Sequence, residues 1–251
     1  MALILGRKPV REALEASSQI DKVLINKAAR GEDIDVIRRL ASGQTIPFQF
    51  VPEAKLNRLA PNANHQGVIA TMAPVAFQDV DDLLSSIAPT LDDVRAKKPT
   101  LLMLDGIEDP HNFGAILRSA LAAGVAGVII PTRHMAQLNE ATLKTSAGAA
   151  LRIPIARVKK LSDTLVQLKE RGYWVVGADA SGEVAFGAYD WDQPVVVVMG
   201  SESKGMRPDV KKACDTVVSI PMYGPMESLN VSVATALLVF KAAECKQTPA
   251  T

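Results

Sequence analysis

Cysteine is nearly absent: Cys214 and Cys245 are the only two in 251 residues. They stand far apart with no CxxC spacing, which argues against a disulfide framework and a cysteine-based zinc site. Histidine is as scarce, and His65, His111 and His134 show no ligand spacing. No metal is expected. An excess of one charge is lacking too. Lys and Arg number 28 and Asp and Glu 27, a formal net charge of +1, so no global field advertises a polyanion. No stretch approaches the roughly 18 apolar residues of a membrane helix. The opening MALILGRKPV has an apolar run too short for a signal peptide, and its basic residues follow that run instead of preceding it. A soluble, cytoplasmic protein in a reducing compartment is expected, with no membrane partner.

Several catalytic signatures are also missing. No GxGxxG follows the first strand of the C-terminal region, so the dinucleotide fingerprint fails. Gly200-Ser-Glu-Ser-Lys-Gly205 has the glycine spacing of a P-loop, but Met206-Arg207 stand where Lys-Ser/Thr must be. Without that Lys and hydroxyl, a triphosphate has no charge clamp and no magnesium ligand. No GxSxG elbow occurs, which disfavours hydrolase chemistry.

What is present is an alternation of apolar runs and helical periods. Residues 1–72 read helix, strand, helix, strand, helix, strand, a small α/β domain. This block carries 10 Lys/Arg and 7 Asp/Glu, net +3, a weak hint of an anionic partner. Arg7, Lys8 and Arg11 cluster near its start and are candidate phosphate contacts, with a solvated helix face as the alternative. Residues 73–98 are acidic, net −2, and punctuated by Pro74, Pro89 and Pro99. They read as a linker with one or two short helices. From 99 to 251 strands and helices alternate, which predicts a parallel sheet covered on both faces. Asn112 is a plausible N-cap for a helix over His111–Ala123, and Asn230–Glu244 is predicted to be the final helix.

Val195–Met199 and Val217–Ile220 are apolar runs that break into small and polar residues, the pattern of buried strands ending in loops. Ligands of open α/β sheets sit beyond the carboxyl ends of strands, so a small-molecule site is expected where these loops meet. Gly200 and Gly205 would let backbone approach a ligand closely. Polar clusters mark three strand ends: Asp105 to Asn112 followed by Arg118, Gly200-Ser201-Glu202, and Glu227 to Asn230. Asn112 and Arg118 are six residues apart, about 240° net around a helix, so they do not share a face. Both border one cleft only if Asn112 caps the helix from outside its first turn. Helix capping and a solvated Arg remain the plain alternative.

Asn112-Phe-Gly-Ala-Ile-Leu-Arg118, then VVMGSESKGM, then IPMYGPMESLNVSVA resemble the three motifs of the SPOUT superfamily. The closest likeness is to its TrmH-type RNA ribose 2′-O-methyltransferases. GRKPVREAL and His65-Gln66-Gly67 are similar to the bacterial branch acting on a guanosine of 23S ribosomal RNA. The resemblance spans nearly the whole chain. It implies a C-terminal α/β domain with a deep trefoil knot, S-adenosylmethionine bound in that knot, and a homodimer. It also implies an N-terminal domain like ribosomal protein L30e that engages ribosomal RNA, free or in a large-subunit particle. By motif match, Gly200, Ile220 and Leu229 fall at the cofactor, with Met222 as a further apolar wall. Arg118, Asn112, Glu202, Ser228 and Asn230 fall on active-site positions. Transfer RNA as substrate, and a catalytically silent RNA-binding assembly factor, are the rival readings.

Overall fold

The computed structural model describes residues 3–16, 19–72 and 75–246. The chain separates into two compact units, one of residues 1–76 with 138–140, the other of 77–137 with 141–251. The first contains β1 (Leu3–Leu5), α1 (Arg7–Glu15), β2 (Ile20–Asn26), α2 (Glu32–Gly43), β3 (Phe48–Val51), α3 (Glu53–Leu59) and β4 (Val68–Met72). Its four strands run in the order β1-β4-β2-β3, with β2 and β3 parallel and β4 antiparallel to both its neighbours. Val10 and Leu14 of α1 and Ile34 and Ile37 of α2 recur at helical spacing and pack on Val23 and Ile25 of β2.

The second unit opens with α4 (Val80–Ile87) and α5 (Leu91–Lys97). The one or two short helices expected between 73 and 98 are present as two, but the expectation that they form a linker is corrected: they are part of the folded unit. Leu83, Leu84, Ala88 and Val94 are buried in the core of this unit. Asp79 caps α4, and Thr90 with Asp93 forms a capping box on α5. The charges that suggest a linker stand on the outer faces of two amphipathic helices. Pro74 lies outside the described residues.

There follow β5 (Thr100–Asp105), α6 (Pro110–Ala122), β6 (Gly127–Pro131), α7 (Glu140–Thr145), a 3₁₀ turn at Ala149–Leu151 and β7 (Ile155–Val158). Next come α8 (Leu161–Glu170), β8 (Trp174–Ala178), β9 (Val184–Ala185), β10 (Val195–Gly200), α9 (Pro208–Lys212), β11 (Thr216–Ser219) and α10 (Val231–Lys246). The sheet is seven-stranded and parallel at every pairing, in the order β7-β6-β5-β10-β8-β11-β9. Leu101, Met103, Val196 and Val198 alternate onto the face covered by α4, α5, α8 and α9. The residues between them are buried as well, and α10 packs against α6, β5 and β10. Burial on both faces is why β10 reads as an unbroken valine run. The two-residue β9 was not expected; it is too short to carry a period.

Candidate functional site

β5 and β10 are central neighbours in register, with Asp105 opposite Gly200. Both strands end here, and two cavities open beyond them. One, of about 250 Å³, is walled by Asp179, Gly200, Ile220, Met222, Ser228 and Leu229 among others. It brings together every residue expected at the cofactor. The other, of about 500 Å³, lies over the end of β5 and the start of α6, with Glu108, Asp109, Asn112 and Arg207 in its wall. Ser201, Glu202, Gly205 and Val231 line both, so the 201–205 loop is the partition.

Three of the expected polar residues meet at that partition. The Asn230 side-chain amide donates to Asn112 Oδ1 at 3.0 Å and to Glu202 Oε1 at 2.6 Å. The same Glu202 oxygen accepts the Val231 backbone N–H at 3.1 Å. Asn230 Oδ1 accepts the Ser232 N–H at 2.9 Å, capping α10. Glu202 thus sits at the N-terminus of a 16-residue helix, where the dipole favours a carboxylate. The result is a fixed polar cluster joining the first turn of α6, the loop after β10 and the residue before α10, with Asn230 28 and 118 residues from its two partners along the chain.

Two expectations change. Asp109, not Asn112, caps α6, accepting the His111 N–H at 3.0 Å with Pro110 next in line. Asn112 therefore lies inside the helix, and its angular separation from Arg118 stands. Arg118 is exposed, lines neither cavity and pairs with no described residue. Gly200 has a different reason to be small than a ligand: a Cβ there would lie 2.2 Å from Gly205 C and from Met206 N. The chain's own backbone occupies that space.

Reading the sequence placed Asp105 in a polar cluster without its partner and missed Asp179 altogether. Asp105 is buried, and its carboxylate accepts the Arg207 backbone N–H and Nε, each at 2.7 Å. This pair ties the far end of the 200–207 loop to β5. Asp179 follows β8 and accepts Ser181 Oγ at 2.6 Å and pairs with Lys211 Nζ at 3.1 Å. Burial pushes the Asp179 carboxyl up, and the Ser181 and Lys211 contacts more than offset it, holding it below its ordinary value. The signal available for both was an acid closing an apolar run.

In the first unit, the candidate RNA contacts are engaged internally. Lys8 pairs with Glu12 at 3.9 Å, and Arg11 with Asp33 at 2.9 Å and Glu15 at 3.6 Å. Arg7 donates through Nε to Gln66 O and through its guanidinium to Arg30 O. Among the described residues, no helix is long and apolar enough to cross a membrane.

Residues 99–240 match the SpoU rRNA methylase family, and residues 3–78 match the RNA 2′-O ribose methyltransferase substrate-binding domain. The chain is 41% identical over 239 residues to a Staphylococcus haemolyticus protein assigned to the TrmH family of tRNA/rRNA methyltransferases, covering 95% of this chain and 94% of that one. An AdoMet-bound rRNA methyltransferase from Sinorhizobium meliloti superposes with a TM-score of 0.60 at 25% identity, covering 96% of this chain and 86% of that chain. The TrmH/SpoU tRNA-modifying enzyme of A. aeolicus gives 0.56 at 29% identity, over 66% of this chain and 81% of that one. The chain belongs to the SpoU family of RNA 2′-O-ribose methyltransferases.

Proposed function

We propose that this enzyme methylates the ribose 2′-hydroxyl of a guanosine in 23S ribosomal RNA, working as a cytoplasmic homodimer. The observation that carries the reading is the Asn112–Asn230–Glu202 cluster standing between two adjoining cavities. The smaller cavity suits S-adenosylmethionine. Ile220, Met222 and Leu229 offer apolar walls for an adenine ring, and Asp179 a carboxylate for hydroxyl or ammonium donors. That cofactor supplies a methyl group already made electrophilic by its sulfonium.

The protein's work is then alignment and charge. Asn112 and Asn230 hold a fixed donor and acceptor array against which a ribose is oriented, and proximity is the main contribution. Ser228 lines the cofactor cavity at the foot of the same loop. Arg118 completes the site from a second copy of the chain, because its own helix aims it away from Asn112. A guanidinium is always protonated in proteins, so its role is to stabilise charge developing on the 2′ oxygen. The trefoil knot belongs to the same proposal. Its support is the likeness of the three motifs, together with a close backbone approach of Gly182 to Val218–Ser219.

Ribosomal over transfer RNA is favoured by the auxiliary unit. The solved rRNA enzyme aligns over 96% of this chain, whereas the solved tRNA enzyme aligns over 66%. The deciding experiment is methyl transfer from labelled cofactor onto ribosomal and transfer RNA, with the modified nucleotide mapped. Labelling of transfer RNA alone overturns the 23S assignment.

Arg118→Ala is expected to cut methyl transfer at least about a hundredfold, the range for losing one electrostatic stabiliser. Cofactor affinity by calorimetry stays at the wild-type value. Normal turnover would remove Arg118 from the chemistry. The homodimer is motivated by α10, where Val233, Leu237 and Phe240 recur at helical spacing and are 48%, 40% and 49% exposed. Such an apolar stripe marks an interaction face. Leu237→Glu with Phe240→Glu should sediment as a folded, inactive monomer. An active monomer at assay concentration would refute both the dimer and the shared site.

A further inference from the structure

We propose that the first unit holds a nucleotide subsite for single-stranded RNA, built on Phe50 and lined by Lys27, Arg30 and Arg38. This rests on the reading of that unit as the RNA-binding part of the enzyme and deepens it by naming the surface. Phe50 lies on β3, the edge strand of its sheet. Phe48, two residues earlier on the same strand face, meets its ring edge-on at 6.2 Å and 90°. Phe48 in turn packs against the core. Phe50 is thereby buttressed, yet 38% exposed. The Arg38 guanidinium stands 5.7 Å from its centroid, within cation–π range.

A cavity of about 400 Å³ opens beside this ring, walled by Lys27, Arg30, Asp35, Arg38 and Phe50 among others. Three cations face one carboxylate, and Asp35 is occupied by Arg38 at 3.3 Å. Arg30 is anchored by donating to Lys27 O and Ala29 O at 2.7 and 2.8 Å, while the Lys27 ammonium pairs with no described residue. Lys27 and Arg30 meet no carboxylate among the described residues, in contrast with Lys8 and Arg11, whose charges are met by carboxylates of the same unit. An exposed, buttressed aromatic beside a guanidinium suits a stacked base, and adjacent lysine and arginine suit the flanking phosphates.

The intact protein is titrated with a short, labelled, unstructured single-stranded RNA. Phe50→Ala is expected to weaken binding roughly fivefold to a hundredfold, the range for losing one base–aromatic stack. Phe50→Tyr keeps the π face and retains wild-type affinity. Lys27→Gln lowers the slope of log affinity against log salt by about 0.7, one phosphate contact on a single strand. Photo-crosslinking maps the RNA to the Phe48–Val51 peptide. Unchanged affinity in Phe50→Ala, or a crosslink elsewhere, overturns the subsite, as does a protein partner occupying this edge with RNA bound normally. Methylation of ribosomal RNA by the wild-type enzyme is read in parallel. If that fails while RNA binding depends on Phe50, the functional reading falls and the subsite stands. If methylation proceeds and Phe50→Ala binds as wild type, the reverse holds.

Discussion

A chain that begins at Lys97 is expected not to fold, whereas one that begins at Phe77 unfolds cooperatively. The residues between them carry two helices whose apolar sides belong to the methyltransferase core. Leu83, Leu84 and Val94 are each no more than 2% exposed. Burial of a large aliphatic side chain stabilises by about 1.5–3 kcal/mol, so losing three removes roughly 5–9 kcal/mol. That is an upper estimate, because denatured chains already bury some surface. It still matches the whole stability of a typical domain, about 5–15 kcal/mol. The loss is compounded at β7, where Gln78 donates its N–H to Ile155 O at 2.9 Å and accepts that of Arg157 at 3.3 Å. Removing that strand-like bridge exposes an edge of the sheet. The measurement is urea denaturation of both truncated chains, followed by circular dichroism. A common midpoint would show that α4 and α5 only decorate the unit.

The reason this segment reads as a linker is instructive. Five of the 26 residues 73–98 are Asp and proline punctuates them, and nothing local shows that the apolar sides of the short helices expected there belong to the core of the following unit. The spacing was there: Leu83, Leu84 and Ile87 follow a helical period, and Thr90 to Asp93 is a capping signal. The parallel sheet, by contrast, was legible because its central strands are buried on both faces and announce themselves as apolar runs. The α6 cap was misplaced for a local reason, since Asp109-Pro110 is a stronger start signal than Asn112. The bond between Asn230 and Asn112 has no local signature at all. It exists because α10 packs against α6, which brings together two residues 118 apart along the chain. Only the likeness of the three motifs to a known family pointed there from sequence. The same likeness placed Arg118 at the site, and the helix that carries it directs it elsewhere in its own chain.

Gly200→Ala is expected to abolish methyl transfer and to weaken the protein even with no ligand bound. The added Cβ would stand 2.2 Å from two backbone atoms and 2.6 Å from Gly205 O, and backbone cannot step aside as a side chain can. Ser201 and Gly205 exchange backbone hydrogen bonds of 3.1 and 2.9 Å, while Asp105 grips Arg207 just beyond. The turn is closed at both ends, so relief of the clash must displace Ser201 and Glu202. Overpacking of this kind costs about 1–3 kcal/mol. Glu202 orders Asn230 and the start of α10, and a shift of about 1 Å at such a group is enough for a hundredfold loss of rate. Gly205→Ala is the control. Its φ of +64° disfavours a side chain, but the nearest atom to the new Cβ is Asp179 Oδ2 at 3.3 Å. It should cost about 1–2 kcal/mol, the left-handed penalty alone, and leave measurable turnover. Denaturation of the cofactor-free variants separates the causes. If Gly200→Ala matches wild-type stability without cofactor and has lost only cofactor binding, the glycine is there for the ligand and not for the chain's own turn.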